Sequence, residues 1–136
     1  MAAALVPELY VSDLARSLAF YCDLAGFEVR YERRDEAFAY IALGQAELML
    51  EEPIGRTWLT GPLEQPFGRG VNLQITVPDT DRIYEVFCKA GATIVNGLED
   101  KTYRRRGDTV SVRQFVVADP DGYLLRFAQI ISEHPS

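Results

Sequence analysis

Apolar side chains recur at helical spacing in residues 14–24, which predicts a helix over that segment. Ser12 or Asp13 is the expected N-cap, since either side chain accepts a hydrogen bond from a free backbone N–H of the first turn. Gly26 ends the pattern, as glycine commonly does just beyond the last turn of a helix. The segment therefore predicts one amphipathic helix near the start of the chain.

The same pattern returns in the second half of the chain, where each matching residue lies the same number of positions after its counterpart in the first half. There the apolar stripe of a second predicted helix begins after Asp79 and ends at Gly91. At that offset three residues of the first segment align with three of the second: Asp13 with Asp79, Tyr21 with Phe87, and Cys22 with Cys88. We therefore expect the two cysteines to fill equivalent packing positions as reduced thiols, since neither has the spacing of a zinc or redox motif.

Segments of strand type surround each predicted helix, one before it and three after it, which gives the order βαβββ twice. The predicted strands cover residues 5–11, 27–32, 37–43 and 47–51, and then residues 71–77, 92–96, 110–117 and 124–130. The fold class is therefore α+β, with two βαβββ modules in one domain over residues 1–136. The modules span residues 5–52 and 71–130, and a linker rich in proline and glycine, residues 53–70, separates them. We expect each sheet to curl around a groove, with its helix on the convex side.

Composition and charge exclude several function classes. The 136 residues are 48% hydrophobic with a net charge of −6, which excludes wholesale disorder and disfavours nucleic acid as a partner. No apolar run approaches the roughly 20 residues that span a bilayer, and residues 1–7 lack the basic segment of a signal peptide. We therefore expect no membrane association and a cytoplasmic location. His134, the single histidine, and the basic residues 104–106 are expected in a solvated tail and on a solvated face, respectively.

Two motifs resemble one known family. They are the run Val-Ser-Asp-Leu at residues 11–14, followed by Ser17 and Phe20, and the run Asp-Pro-Asp-Gly-Tyr-Leu-Leu-Arg-Phe at residues 119–127. Together with the doubled βαβββ order, they resemble the vicinal oxygen chelate superfamily over about residues 5–129. That superfamily includes glyoxalase I, ring-cleaving dioxygenases, fosfomycin-modifying enzymes and bleomycin resistance proteins. The resemblance implies curled mixed sheets, but it says less about function, because one fold hosts many chemistries.

In the enzymes of this superfamily, His, Gln and Glu side chains hold a divalent metal. The resemblance places those positions on Val6, Met49 or its neighbour Leu48, Asn72 and Arg126. An aliphatic group, a thioether, an amide and a guanidinium do not form a site for a hard or borderline cation. We therefore expect no metal, no cofactor and no catalytic residue, which makes an enzyme the less favoured interpretation.

The metal-free bleomycin resistance group resembles this chain best. The resemblance implies a small acidic homodimer that sequesters a cationic glycopeptide in grooves at the dimer interface. We expect drug binding of this kind, for bleomycin or another cationic or aromatic small molecule, and hence a role in antibiotic resistance. Two alternatives stay open. One is a lyase or isomerase of the same superfamily with atypical or no metal ligands, in which Glu51 or Tyr40 acts as a base, and the other is a dimerisation module or pathway subunit with a vestigial groove.

Eight side chains are candidates for ligand binding: Phe38, Tyr40, Glu51, Trp58, Asn72, Gln74, Gln114 and Arg126. Aromatic rings would stack on the ligand, the carboxylate would attract a cation, and the amides would orient the ligand by hydrogen bonds. Arg126 is expected to pair with a groove carboxylate such as Glu51. Each class also has a structural interpretation. The strand aromatics equally fit the core, and the amides fit strand edges. Trp58 fits either a lid that closes over a ligand together with Phe67 or a plug that packs one module on the other.

The strand at residues 47–51 determines where the charge lies. Glu47, Met49 and Glu51 share one face of it, so both carboxylates flank the groove if Met49 faces the groove. The alternative places Leu48 and Leu50 in the core and the two carboxylates in water.

Overall fold

The computed structural model describes residues 3–135, which form two compact units. The first unit contains the described residues up to Phe67 together with residues 120–122, and the second contains Gly68–Asp119 and the described residues from Tyr123 onward. The predicted domain over residues 1–136 also includes Met1, Ala2 and Ser136, which lie outside the described residues. No helix within residues 3–135 is long and apolar enough to cross a membrane.

The first unit is a mixed four-stranded sheet with one helix. Its strands are β1 (Glu8–Tyr10), β2 (Glu28–Arg33), β3 (Phe38–Leu43) and β4 (Ala46–Glu51). They lie in the order β1-β4-β3-β2, with β1 parallel to β4 and the other pairs antiparallel. A short 3-10 helix, Arg34–Glu36, joins β2 to β3.

The first helix, α1 (Leu14–Leu18), continues as a π-helical turn over Ala19–Leu24. The Asp13 carboxylate accepts a hydrogen bond from the backbone N–H of Arg16, so the predicted helix over residues 14–24 is confirmed with Asp13 as its N-cap. The second half of this helix is a π-helix because its N–H groups donate to carbonyls five positions earlier in the chain. The Ala25 N–H, for example, donates to the Phe20 carbonyl.

One side of the first sheet supplies the core of its unit. Side chains that alternate along three strands are buried there: Leu9, Ala39, Ile41, Leu48 and Leu50. Helix α1 packs on β4, so this is the helix-facing side. Because β-strand side chains alternate, the burial of Leu48 and Leu50 puts Glu47, Met49 and Glu51 on the opposite side.

The second unit repeats this arrangement. Its elements are β5 (Asn72–Thr76), α2 (Thr80–Lys89), β6 (Thr93–Arg105), β7 (Asp108–Ala118) and β8 (Leu124–Pro135). The strands lie in the order β5-β8-β7-β6, with β5 parallel to β8, as β1 is to β4. The Asp79 carboxylate caps α2 by accepting from the Arg82 N–H, and Phe87, Phe115 and Phe127 form its aromatic core. The two repeated βαβββ modules of an α+β fold are therefore as predicted.

Two strands extend at least five residues beyond their predicted ends. We expected residues 92–96 and 124–130, whereas β6 and β8 extend to Arg105 and Pro135. The extensions form a ribbon with β7 that is exposed on much of both sides, so they carry no apolar alternation that the sequence could show. His134 pairs with Thr109 in this ribbon, so the prediction of a terminal tail is wrong for its backbone, although its side chain is exposed.

One further prediction about a single residue changes with the structure. Cys88 is exposed, so the prediction that both cysteines fill packing positions is wrong for it. Cys22 is half-buried, and burial raises the pKa of its thiol. In the basic cluster, Arg105 ion-pairs with Asp108 across the β6–β7 turn at 2.6 Å, and it also reaches Glu133.

Asp121 ties together distant segments of the first unit. Its buried carboxylate accepts hydrogen bonds from the backbone N–H of Ser12 at 3.0 Å, from the Ser12 hydroxyl at 2.6 Å and from the Gln65 amide at 3.0 Å. Its backbone carbonyl accepts from the N–H of Phe67 at 2.7 Å. Asp121 therefore holds the start of α1 and the end of the linker.

Candidate functional site

The side of the first sheet away from α1 presents carboxylates and aromatic rings. We call it the acidic face and define it by Glu8, Tyr31, Phe38, Tyr40, Glu47, Met49 and Glu51. Tyr40 lies opposite Met49 and Phe38 lies opposite Glu51, while Glu8 pairs with Met49 from the other edge. Since directly paired residues in neighbouring strands point to the same side, these side chains share one surface. The structure thus brings together Phe38, Tyr40 and Glu51 of the predicted site.

The aromatic rings of the acidic face form a layered group. Tyr31 stacks on Tyr40 with ring centroids 5.1 Å apart and an interplanar angle of 16°, and it lies 6.0 Å from Phe38. Phe38 and Tyr40 are buried, whereas Tyr31 is 49% exposed. The ring that a ligand meets first is therefore Tyr31, which the sequence analysis missed.

A guanidinium cation already occupies part of this surface. The Cζ atom of Arg33 lies 3.8 Å from the ring centroid of Phe38 and 5.9 Å from that of Tyr31. Arg33 also forms an ion pair with Glu36, and the hydrogen bond between them raises the pKa of the guanidinium. The arrangement shows that the face accommodates a planar cation over an aromatic ring.

Two carboxylates of this face, those of Glu51 and Glu47, have pKa values shifted in opposite directions. Burial, with the charges of Glu8 and Glu36 nearby, raises the pKa of Glu51. Among residues 3–135 Glu51 has no ion-pair partner. Glu47 accepts a hydrogen bond from the Tyr40 hydroxyl, which lowers the pKa of Glu47 and raises that of Tyr40 to about 12. Glu51 is therefore the carboxylate that gains most from a neighbouring cation.

The side of the second sheet away from α2 carries the other predicted strand residues. We call it the amide face and define it by Asn72, Gln74, Gln114 and Arg126. Gln74 lies opposite Arg126, and Gln114 lies opposite Ala128 on the same side of the sheet. The amides of β5 are exposed, whereas Gln114 is only 5% exposed and Arg126 is half-buried. The interpretation of the amides as strand-edge residues therefore does not hold for Gln114, because β7 is an inner strand of the sheet.

Gln114 belongs to a polar network that the sequence analysis also missed. Its Nε2 donates to the Tyr103 hydroxyl at 2.6 Å and to a carboxylate oxygen of Glu99 at 3.3 Å. Glu99 accepts a further hydrogen bond from Asn96 at 2.8 Å, and these bonds lower the pKa of Glu99. Tyr103 and Glu99 lie in β6 beyond its predicted end, so no sequence signal placed them near Gln114.

The linker aromatics Trp58 and Phe67 belong to the first unit, and the backbone of Trp58 reaches Tyr10, which is paired with Glu51. Trp58 is 69% exposed, which does not fit a buried plug, and the Arg56 guanidinium lies 4.2 Å from its ring centroid. The backbone N–H of Trp58 donates to the Tyr10 hydroxyl at 2.8 Å. Phe67 is buried and is therefore not an open lid. The predicted ion pair of Arg126 with Glu51 joins residues of different units and stays a prediction.

The residues at the four metal-ligand positions do not fit a divalent cation. Met49 lies opposite Glu8, and Arg126, with a buried Nε that lacks an acceptor among residues 3–135, lies opposite Gln74. A thioether and a cationic donor thus stand where oxygen or nitrogen ligands would be needed. Within the described part of the chain, no group of three or more His, Cys, Asp or Glu residues is placed to hold a metal ion.

Known proteins match this chain over most of its length. The model of the Glyoxalase/Bleomycin resistance protein/Dioxygenase superfamily matches residues 3–127. A bleomycin resistance protein of Geobacillus stearothermophilus is 27% identical over 135 residues, which is 93% of this chain and 96% of that protein. The crystal structure of TioX from Micromonospora sp. ML1 covers 93% of this chain and 95% of its own, with a TM-score of 0.71 and 22% identity, and so shares the fold. A superfamily member from Vibrio splendidus 12B01 is 42% identical over 91% of this chain and 95% of its own, with a TM-score of 0.43.

Proposed function

Because the chain belongs to the glyoxalase/bleomycin resistance protein/dioxygenase superfamily, we propose that it is a metal-free binding protein that sequesters a cationic aromatic small molecule. The observation that carries the proposal is the guanidinium of Arg33 over the Phe38 ring on the acidic face. The relationship to bleomycin resistance proteins supports a drug of the bleomycin type as the ligand and a role in resistance to it.

The charge of the acidic face gives the ligand its sign. Glu51 bears a carboxylate whose ionised form is disfavoured by burial and by the neighbouring Glu8 and Glu36. A ligand cation beside Glu51 offsets this cost, which makes ligand and site mutually stabilising. The net charge of −6 also attracts cations over a longer range and speeds their encounter with the protein.

The aromatic layer gives the ligand its shape. Tyr31 presents an exposed ring whose inner side stacks on Tyr40, so a planar heteroaromatic group extends an existing stack. A second cationic group of the ligand takes the position of Arg33 over Phe38 when that side chain swings away. The combination selects a ligand that is both flat and positively charged.

Sequestration fits this surface better than acid–base catalysis. The Tyr40 hydroxyl donates a hydrogen bond to Glu47 and has a pKa of about 12, so Tyr40 is protonated at neutral pH and is not a base there. Glu51 is a candidate charge partner for a cation, since none of the ion pairs among residues 3–135 includes its carboxylate. Binding alone, with release of the intact ligand, is the consequence.

We also propose that the binding-competent form is a cytoplasmic homodimer. The outer strands β1 and β2 of the first sheet, and β5 and β6 of the second, each pair on one side only within the described chain. Open sheet edges favour association with a second copy. Size-exclusion chromatography with light scattering is expected to give twice the chain mass at micromolar concentration, and a monomer would overturn the homodimer.

The proposed function is tested by calorimetric titration of chelator-treated protein with metal-free bleomycin, and separately with Zn²⁺, Ni²⁺ and Mn²⁺. We expect saturable binding of about one drug molecule per chain and no heat of metal binding. Metal uptake without drug binding would contradict the proposal and favour an enzyme of the same superfamily. Absence of both would favour a dimerisation module.

A further inference from the structure

Two buried polar atoms on the amide face have no hydrogen-bond partner within residues 3–135. One is the acceptor Oε1 of Gln114 and the other is the donor Nε of Arg126. Folded proteins rarely leave buried polar atoms unpaired, and those that remain commonly have a ligand or water as partner. Both atoms lie on the same side of one sheet and on neighbouring strands, β7 and β8.

The orientation of the Gln114 amide is fixed by its neighbours. An ionised carboxylate only accepts hydrogen bonds, so the Nε2 group of Gln114 must face Glu99 and the Tyr103 hydroxyl. A flipped amide would place its oxygen against the Glu99 carboxylate. Oε1 therefore points away from this network and presents a free acceptor.

The strand register brings the two atoms within reach of one small group. Gln114 pairs with Ala128 and Arg126 pairs with Val116, which makes Gln114 and Arg126 diagonal neighbours. Diagonal positions on adjacent strands are about 7–8 Å apart, which is within the reach of two long side chains.

We infer that Gln114 and Arg126 form a binding site for the neutral carboxamide group of a small molecule, whose carbonyl accepts from the Arg126 Nε–H and whose N–H donates to the Gln114 Oε1. This subsite goes beyond the proposed function, because both of its residues belong to the second unit and the acidic face belongs to the first. The exposed Gln74, opposite Arg126, extends the same hydrogen-bonding surface.

A carboxylate or an ammonium group in place of the carboxamide would satisfy one of the two atoms and place an unfavourable charge beside the other. A carboxylate would satisfy Arg126 but place acceptor oxygens against the Gln114 Oε1 and close to Glu99. An ammonium group would satisfy Oε1 but bring a positive charge to the guanidinium of Arg126. A carboxamide carries one donor and one acceptor on adjacent atoms, so it completes both without an unpaired charge.

Three probes with the same ring separate these cases: benzamide, benzoate and benzylamine. Each is titrated to millimolar concentration into the ¹⁵N-labelled full chain, while the Nε–H signal of Arg126 and the side-chain amide signals of Gln114 are followed by NMR. We expect benzamide to shift both sets of signals saturably, and we expect the two charged probes to bind at least 10-fold more weakly. Benzoate that binds as well as benzamide would overturn the subsite. The absence of any saturable shift would also overturn it, and is the result expected if a bound water is the sole partner of the two atoms.

Two variants give a matched comparison. Arg126→Lys keeps the charge and removes the Nε–H, so we expect it to lose benzamide binding by at least 10-fold. Arg113→Lys makes the same change on the same sheet, at a residue that pairs with Asp100, and is expected to bind benzamide as the unaltered chain does. Equal binding by both variants would contradict the inference, and the benzamide-to-benzoate comparison on the unaltered chain decides the matter if Arg126→Lys fails to fold.

The probes also separate this inference from the proposed function. Benzamide binding without any binding of metal-free bleomycin would contradict the proposed function and support the subsite. Drug binding that persists unchanged in Arg126→Lys, with no benzamide response in the unaltered chain, would do the reverse.

Discussion

Replacing Glu51 by glutamine removes the charge of the acidic face at the point where the structure leaves it without a partner. The substitution keeps the size and hydrogen-bonding capacity of the side chain, which lies half-buried opposite Phe38. It therefore reports on the electrostatic contribution to ligand binding, with little effect on packing.

The expected loss of affinity follows from the position of the carboxylate. A ligand ammonium about 4 Å away gains about 4 kcal/mol of Coulomb energy at an effective dielectric constant of about 20, and desolvation of both groups offsets much of it. Hydrogen bonds to charged groups contribute about 1.5–3 kcal/mol net, while fully exposed ion pairs contribute about 1 kcal/mol or less. For the half-buried Glu51 we expect about 1.5–2 kcal/mol, which is a 10- to 30-fold weaker Kd.

The raised pKa of Glu51 adds a dependence on pH. A bound cation favours the ionised carboxylate, so affinity is full well above the pKa of Glu51 and declines as the pH falls through it, toward the ordinary value of 4.5. The glutamine variant lacks this decline. In the ligand-free protein the raised pKa means that ionised Glu51 destabilises the fold. Glu51→Gln is therefore at least as stable as the unaltered chain at neutral pH, and that advantage disappears below pH 4.5.

Calorimetric titration with metal-free bleomycin between about pH 5 and pH 8 measures both effects. Glu64→Gln is the matched control, because it removes the same charge from an exposed position in the linker of the same unit. An unchanged Kd in Glu51→Gln would refute the electrostatic argument. Equal weakening in both variants would show that net charge, and not the acidic face, attracts the ligand.

Three further substitutions test other parts of the first unit. Tyr31→Leu removes the exposed ring stacked on Tyr40, and we expect a 3- to 10-fold loss of drug affinity in the same calorimetric assay, since an aromatic contact contributes about 0.5–1.5 kcal/mol. Glu47→Gln removes the charged acceptor of the Tyr40 hydroxyl, so the pKa of Tyr40 should fall from about 12 toward 10.0, and a spectrophotometric titration in which the last tyrosine still ionises near pH 12 would contradict this. Asp121→Ala leaves three hydrogen-bond donors without their acceptor, and we expect urea unfolding to show a loss of about 3 kcal/mol, whereas Asp23→Ala at an exposed position should cost less than about 0.5 kcal/mol.

The helices and the order of strands could be predicted because local periodicity carries them. Leu48 and Leu50 are flanked by the charged residues Glu47 and Glu51, and the cap residues Asp13 and Asp79 precede apolar stripes, so these elements have their own signals in the sequence. The repeat of the pattern doubled that signal. The outer ends of β6 and β8 lacked it, because a ribbon exposed on both sides needs no apolar alternation.

The candidate site was predictable only where strand parity held. Phe38 and Tyr40 alternate regularly along β3, so their shared face followed from the sequence. Tyr31 did not, because a bulge between Val29 and Tyr31 shifts the register of β2 and reverses the side to which later residues point. The partners of Gln114 escaped for a different reason. Glu99 lies across a strand pair that begins where the predicted strand ended, and a long-range pairing leaves no local pattern.

The most direct test of sequestration measures free and total drug in one sample. The protein is mixed with an equimolar amount of metal-free bleomycin, the free drug is separated by ultrafiltration, and the total drug is then recovered after denaturation and analysed by mass spectrometry. The account predicts that free drug falls to a small fraction, in proportion to the protein added, and that all of the drug is recovered with its mass unchanged. Drug that stays free, or drug that is recovered chemically altered in more than one copy per chain, would contradict it.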